Sequence, residues 1–451
     1  MRPVPRPFRG SLLGMATIAL WLVVAGAPAS PPLAAPNDPP HPELLLQDAA
    51  AGDVFAMERH AGSVDGTWRD VARARSAAAR LRTDEAIGLA TAIIDSGQAD
   101  PAALAQAWSV LADAAFADRR YADAHVATTR WIEVLQRQDA PRSTLEGAAR
   151  MAALAGALSS APPQAVTSYV PTAVRSAKDK VGLRRAAVTV NGRVQDAVLD
   201  TGAGLSVVSR TIAERLGLRL LAGSATIDSS TRDGVPTRIG VADSVEFAGL
   251  SLRDVAFLVM DDGQLEFPVP GGYSIGAIIG FPVLRELGRI RFERDGRVVP
   301  EPQVPVAPTP DNLRVVGSAL YVDVLVEDVA TALHLDTGAP ASFLTTRFAG
   351  RHARLVDGLA HHEEKLAGAG GARTRRSARM PSAILSIAGR RATLADLSVV
   401  VDDGPDAEAP NFGVLGDDVL DQFDHWTIDF RSMAFELGRP VGTIVGYVAD
   451  R

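Results

Sequence analysis

The residues best suited to chemistry are two aspartates that arrive in the same local setting. One sits in Val198-Leu199-Asp200-Thr201-Gly202-Ala203, the other in Leu333-His334-Leu335-Asp336-Thr337-Gly338-Ala339. They are 136 residues apart (336 − 200). A second pattern keeps that offset: Ile278-Ile279-Gly280-Phe281-Pro282-Val283-Leu284 and Val414-Leu415-Gly416-Asp417-Asp418-Val419-Leu420. Gly280 and Gly416 each follow their aspartate by 80 positions (280 − 200, 416 − 336). Two signals holding one spacing in two places indicate a duplicated unit, so the chain is expected to carry two similar lobes, each offering one carboxylate. Two carboxyls about 3 Å apart cannot both ionise cheaply, so they share a proton and titrate as a pair. One member can then take a proton from water while the other protonates a carbonyl oxygen. Holding the pair in place removes much of the entropy cost of assembling it.

The elements that must position these residues are legible around them. Ala186 to Val190, Asn191-Gly192 and Val194 to Leu199 read as a β-hairpin, because Asn-Gly between short β-prone runs favours a tight turn. Asp200 therefore follows the second strand. Leu320 to Val326, a turn at Glu327-Asp328 and Ala330 to Leu335 lead into Asp336 in the same way. Beyond each aspartate comes an apolar stretch, Leu205-Ser206-Val207-Val208 or Ala341-Ser342-Phe343-Leu344. A short helical segment follows, Thr211 to Leu216 or Thr346 to His352. Strand-like segments ending in Val255 to Met260 and Leu397 to Val401 complete each lobe. The reading is two all-β lobes, residues 182–298 and 313–445, joined by a Pro-rich linker at 299–312 that is extended and semi-rigid.

Upstream the texture differs. Residues 42–160 are Ala-rich with helical periodicity, predicting helices over Glu43 to Met57, Trp68 to Arg82, Thr83 to Gly97, Ala102 to Ala117 and Tyr121 to Gln136. Trp108, Leu111, Ala112, Tyr121, Ala122 and Ala124 resemble a tetratricopeptide repeat, with Ala86 marking a second copy. The fold class is multi-domain: an α-helical hairpin domain followed by two all-β lobes. At the N-terminus, Arg2, Arg6 and Arg9 precede an apolar run from Leu12 to Gly26 and an Ala27-Pro28-Ala29 site. Residues 1–29 thus read as a cleaved export signal, and 30–41 as a Pro-rich mature N-terminus. The expected location is outside the cytoplasm, the periplasm if the source is Gram-negative, with no stable membrane anchor after cleavage.

Composition narrows the chemistry. The 451 residues carry a formal net charge of −7, which disfavours nucleic acid as a partner. There is no cysteine, which excludes disulfides, thiolate catalysis and cysteine-bound metal. Eight histidines include one adjacent pair, His361-His362, without metal-site spacing. No metal or organic cofactor is expected.

Taken together, the two Asp-Thr-Gly-Ala segments and the two apolar-apolar-Gly segments resemble the retropepsin-like aspartic proteases, in the fused two-lobe arrangement of the pepsin-like members. The resemblance covers about residues 182 to 440. It implies Asp200 and Asp336 as the catalytic pair, Thr201 and Thr337 as an inter-lobe threonine grip, and Gly202 and Gly338 as the loop glycines. Gly280 and Gly416 support the fold. Where pepsins usually have serine after the loop glycine, this chain has Ala203 and Ala339, which implies a working pH nearer mild acid to neutral. A flap over the site is expected at Ile227 to Val235, with Asp228, Ser229, Ser230, Thr231 and Gly234, or at Leu366 to Ala372. The basic run Arg373, Arg375, Arg376 and Arg379 is expected to be a solvated face. The implied activity is an exported endopeptidase acting on peptides or proteins, sufficient as a monomer. The helical domain is then a partner-docking surface, a packing scaffold or a shield over the cleft. The alternative is a binding module for a peptide or cell-wall component that does not cut.

Overall fold

A computed structural model describes residues 41–227, 234–267, 271–302, 309–368, 371–402, 409 and 411–441. The expected export signal and Pro-rich terminus therefore lie outside the described residues. No described helix is long and apolar enough to cross a membrane.

Among the described residues, seven α-helices come first: α1 (Pro42–Ala50), α2 (Val54–Arg59), α3 (Gly66–Ala79), α4 (Thr83–Ser96), α5 (Pro101–Ala117), α6 (Tyr121–Arg137) and α7 (Arg142–Leu158). Their boundaries have local causes. Asp100 caps α5 by accepting from Ala103 N–H at 2.8 Å, and Pro101 occupies the first turn. Gly97 ends α4 in the left-handed region at φ +62°. The single helix expected from Glu43 to Met57 is two, because Gly52 turns at φ +101° and Asp53 restarts the chain as the cap of α2.

The first lobe comprises β1 (Ala165–Tyr169), β2 (Val174–Lys178), β3 (Arg184–Val190), β4 (Arg193–Leu199), β5 (Ser206–Ser209), α8 (Arg210–Leu216), β6 (Arg219–Ile227), β7 (Val235–Phe247), β8 (Leu250–Met260), the short ribbon β9 (Glu266–Phe267) and β10 (Tyr273–Ser274), β11 (Ala277–Ile279), α9 (Phe281–Leu284), β12 (Arg289–Glu293) and β13 (Arg297–Pro300). Its paired strands begin before residue 182, since β1 pairs with β8 and β2 with β3. Val299 and Pro300 belong to β13, not to a linker, because β12 pairs with that segment.

The second lobe repeats the plan with β14 (Leu313–Val316), β15 (Ala319–Val326), β16 (Val329–Leu335), β17 (Phe343–Leu344), α10 (Thr346–Arg351), α11 (Ala353–Val356), β18 (His361–Gly368), β19 (Gly371–Ile387), β20 (Arg390–Asp402), β21 (Gly413–Leu415), α12 (Asp417–Leu420), β22 (His425–Asp429) and β23 (Ala434–Leu437). In each lobe a three-residue strand runs parallel to the strand before the aspartate and antiparallel to the strand after it. β11 does so between β4 and β5, and β21 between β16 and β17.

One feature had no local signal. β12 of the first lobe pairs antiparallel with β22 of the second, from Arg289↔Asp429 to Glu293↔His425, so a single sheet bridges the lobes. Phe292 stacks on Trp426 at 4.0 Å between ring centroids. Buried Arg289 meets Asp429, Glu301 and Glu436 at 3.3, 2.9 and 2.6 Å. That satisfies a guanidinium that would otherwise be costly to bury.

The helices pack on both lobes. Ala157 of α7 lies against Gly223 of β6. Arg119 pairs with Glu286, and Arg285 reaches Asp118. On the second lobe, Arg314 is buried between Glu58 and Asp311, with its guanidinium over Phe55 at 4.8 Å from the ring centroid. The ring of Tyr321 fills the space beside Gly52.

Candidate active site

Each Asp-Thr-Gly segment leaves its strand as a turn, and the structure brings the two turns together. Asp200 N–H donates to Ile279 O at 3.0 Å, and Asp336 N–H to Leu415 O at 3.1 Å. Those carbonyls belong to β11 and β21, so the short strands hold the turns from behind. The closeness demands glycine at the next position. A Cβ on Gly280 would lie 2.4 Å from Ala203 O, and one on Gly416 2.6 Å from Ala339 O. Ser206 and Ser342 add a bond the sequence reading did not single out: Gly280 N–H donates to Ser206 Oγ at 3.2 Å, and Gly416 N–H to Ser342 Oγ at 2.9 Å. These serines are also 136 positions apart (342 − 206), so the repeat offset carried the signal.

Between the turns lies a reciprocal ring of hydrogen bonds. Thr201 N–H donates to Thr337 Oγ1 at 3.1 Å, and Thr337 N–H to Thr201 Oγ1 at 3.1 Å. The Thr201 hydroxyl donates to Leu335 O at 2.8 Å, and the Thr337 hydroxyl to Leu199 O at 2.9 Å. All four are buried, and every bond joins one lobe to the other. Net contributions of about 1 kcal/mol each are typical of such bonds.

Asp200 and Asp336 are 1 % and 0 % exposed. Each is oriented by the glycine two residues on: Gly202 N–H donates to Asp200 Oδ1 at 2.8 Å, and Gly338 N–H to Asp336 Oδ1 at 2.7 Å. Gly202 also lies flat against the opposite carboxyl, since a Cβ there would be 2.5 Å from Asp336 Oδ1. Among the described residues, no N–H or hydroxyl donor reaches Oδ2 of either aspartate.

Burial is the main reason both resist ionisation. It raises Asp200 to about 6, while the Gly202 and Ala203 amides and the Asp336 carboxyl pull the other way. Asp336 is raised well above the ordinary carboxylate range by burial and then by the charge of Asp200. The pair can thus hold one proton at mildly acidic pH, with one carboxylate left as a base.

The other sequence-level expectations meet the structure unevenly. Ile227 and Val235 pair at the end of the β6–β7 hairpin, while residues 228–233 lie outside the described residues. Gly368 and Gly371 pair at the end of the β18–β19 hairpin, with residues 369 and 370 likewise outside. The basic run is not one solvated face. Arg375 is buried against Phe343 and paired with Glu364 at 3.0 Å, because alternation along β19 turns it inward. Arg376 and Arg379 lie on the surface beside Asp402 and Asp396. Among the described residues, no group of three or more His, Asp or Glu is placed to hold a metal ion.

A family model described as "Aspartyl protease" matches residues 186–283, the segment that contains Asp200 and Gly280. The match supports an aspartic protease family as the affiliation of this segment. Among solved structures, the chain is similar to a retropepsin-like aspartic protease from Rickettsia conorii, at 16% identity over 30% of this chain and 90% of that one, with a TM-score of 0.20. No curated protein matches the chain.

Proposed function

We propose that this protein is an aspartic endopeptidase in which water between Asp200 and Asp336 hydrolyses peptide bonds. The observation that carries the reading is the pair of buried carboxyls on matching turns, locked by the reciprocal threonine ring. One carboxylate takes a proton from water as it attacks the carbonyl carbon. The partner's carboxyl gives its proton to the carbonyl oxygen. Thr201 and Thr337 touch no reacting atom; they fix the plane in which the carboxyls meet. Both aspartates come from one chain, so a monomer suffices. With residues 1–29 read as an export signal, the substrate is a peptide or protein outside the cytoplasm. Residues 42–160, packed on both lobes, are the proposed surface for a protein partner.

The test is hydrolysis of a mixed peptide library from pH 3 to 7 by the mature protein, beside Asp200→Asn and Asp336→Asn. Cleavage lost in both variants, with a maximum between about pH 4 and 7, supports the reading, because burial and mutual repulsion keep one proton on the pair up to that range. A rate still rising at the pH 3 end contradicts it. A folded parent that cleaves nothing favours a binding module.

A further inference from the structure

The duplication makes the two aspartates equivalent in local sequence, yet the positions just behind them differ. The residue after Gly280 is Phe281, whose ring packs edge-on against Phe430 at 6.0 Å. The matching residue after Gly416 is Asp417, a carboxyl only 4 % exposed. Asp417 is tied to the second turn on both sides. Its own N–H donates to Ala339 O at 2.9 Å, and Leu415, two residues earlier, accepts from Asp336 N–H. Its Oδ2 lies 2.7 Å from Lys178 Nζ, a residue of β2 in the first lobe. Lys178 also bridges Asp421 at 2.6 Å. Buried Arg184 of β3 adds a second cation near Asp417 and bonds Ser176 through its Nη1 at 3.2 Å.

We propose that the Lys178–Asp417 pair is a positioning device of the candidate dyad: it clamps the second turn to the first lobe and places a one-sided charge behind two otherwise equivalent aspartates. The proposal rests on the aspartic-dyad reading above. The Asp417 end of the pair is buried at the lobe junction and the Lys178 end is partly exposed, at 5 % and 30 % of the side chain, which sets it apart from pairs exposed at both ends. Charge at the buried carboxylate is poorly screened. The charged groups acting on Asp417 are Lys178 and Arg184 from the first lobe and Asp421 from its own segment, and Asp417 in turn acts on Asp200 and Asp336. Burial raises Asp417 itself to about 6 while Lys178 pulls the other way; above that range its carboxylate is ionised and opposes ionisation of both dyad members.

The signs follow directly. Asp417→Asn removes the anion and leaves Lys178 and Arg184, so the dyad ionises more easily. Lys178→Met removes a cation, so it ionises less easily. The shifts are about half a pH unit to one unit, smaller than for charges in direct contact with a carboxyl. The first readout is the pH profile of kcat/KM for peptide hydrolysis, taken on parent, both single variants and the charge-neutral double variant. The upper limb should move down in Asp417→Asn, up in Lys178→Met, and lie near the parent's in the double variant. The second readout is carboxyl carbon-13 NMR of the intact proteins, with Asp200→Asn and Asp336→Asn to assign the signals. It follows the dyad even if the parent hydrolyses nothing, so failure of the protease reading and failure of this proposal are separable. A limb that stays put in both single variants, or moves the same way in both, overturns the proposal. If Asp417→Asn does not fold, Lys178→Met decides alone, and an unmoved titration overturns it.

Discussion

The threonine ring makes a sharp claim about stability. Replacing Thr201 by Val keeps the shape of the side chain and removes its hydroxyl. Two buried groups then lose their partners: Thr337 N–H, which donates to Thr201 Oγ1, and Leu335 O, which accepts from it. The turn is enclosed on all sides, with Thr201 and Thr337 1 % and 2 % exposed, so water does not easily replace the bond. A buried group left unpaired costs about 1–3 kcal/mol, so Thr201→Val, which strands two, should cost about 2–6 kcal/mol. In urea unfolding with a slope of about 3 kcal/mol per M, that lowers the midpoint of the transition reporting on the lobes by about 1 M. Thr201→Ser is the control. It keeps both hydrogen bonds and loses one methyl, at about 1 kcal/mol. Thr337→Val should match Thr201→Val, because it strands the equivalent pair, Thr201 N–H and Leu199 O. If Thr201→Val proves no more destabilising than Thr201→Ser, the ring does not hold the lobes together and the argument from buried hydrogen bonds fails.

Two further perturbations test other parts of the structure. Asp53 caps α2 by accepting from Ala56 N–H at 2.9 Å, yet burial raises its carboxyl to about 6. Because the folded value lies above the unfolded one, the folded state is penalised as pH rises from about 4 through about 6, and the penalty is absent in acid. Asn keeps the cap without the buried charge, and Arg59 retains Asp323 at 3.1 Å. Asp53→Asn should therefore stabilise by about 1–3 kcal/mol at pH 7 and have little effect at pH 4, as read by melting at both values. A gain of equal size at both pH values would sink this account. Gly416→Ala should unfold the second lobe or cost about 3 kcal/mol or more, since its Cβ would press on the backbone of Ala339 and Ala341 within 3.0 Å and neither can yield as a side chain could. Normal melting of Gly416→Ala would show that β21 does not hold the Asp336 turn as described.

Legibility in the sequence followed the range of the interactions. The hairpins ending at Leu199 and Leu335 were readable because turn chemistry and strand pattern are local. The dyad, its threonines and the glycines behind them were readable because duplication printed each twice. Elements lacking both supports were missed. α7 carries little sequence signal, because much of its buried face is Ala and Gly and gives little apolar contrast. β1 has a mostly exposed strand surface with no alternation to detect. The β12–β22 pairing joins segments more than a hundred residues apart, and only the fold brings Arg289 to Asp429. Arg375 sits inside a cluster of arginines that looks solvated until strand alternation turns it inward.

Lys178 and Asp417 were invisible for a more specific reason. Comparing the repeats finds what the lobes share, and the pair is what they do not share. Asp417 falls at the position where the first repeat has Phe281, so the offset that revealed Ser206 and Ser342 hides it. A duplicated scaffold can bring two carboxyls together by symmetry alone. Two identical environments, however, give no reason for the proton to rest on one aspartate rather than the other. That preference must come from residues that break the repeat. The buried carboxylate after Gly416, held by a lysine from the opposite lobe, breaks it at a position hydrogen-bonded to the Asp336 turn.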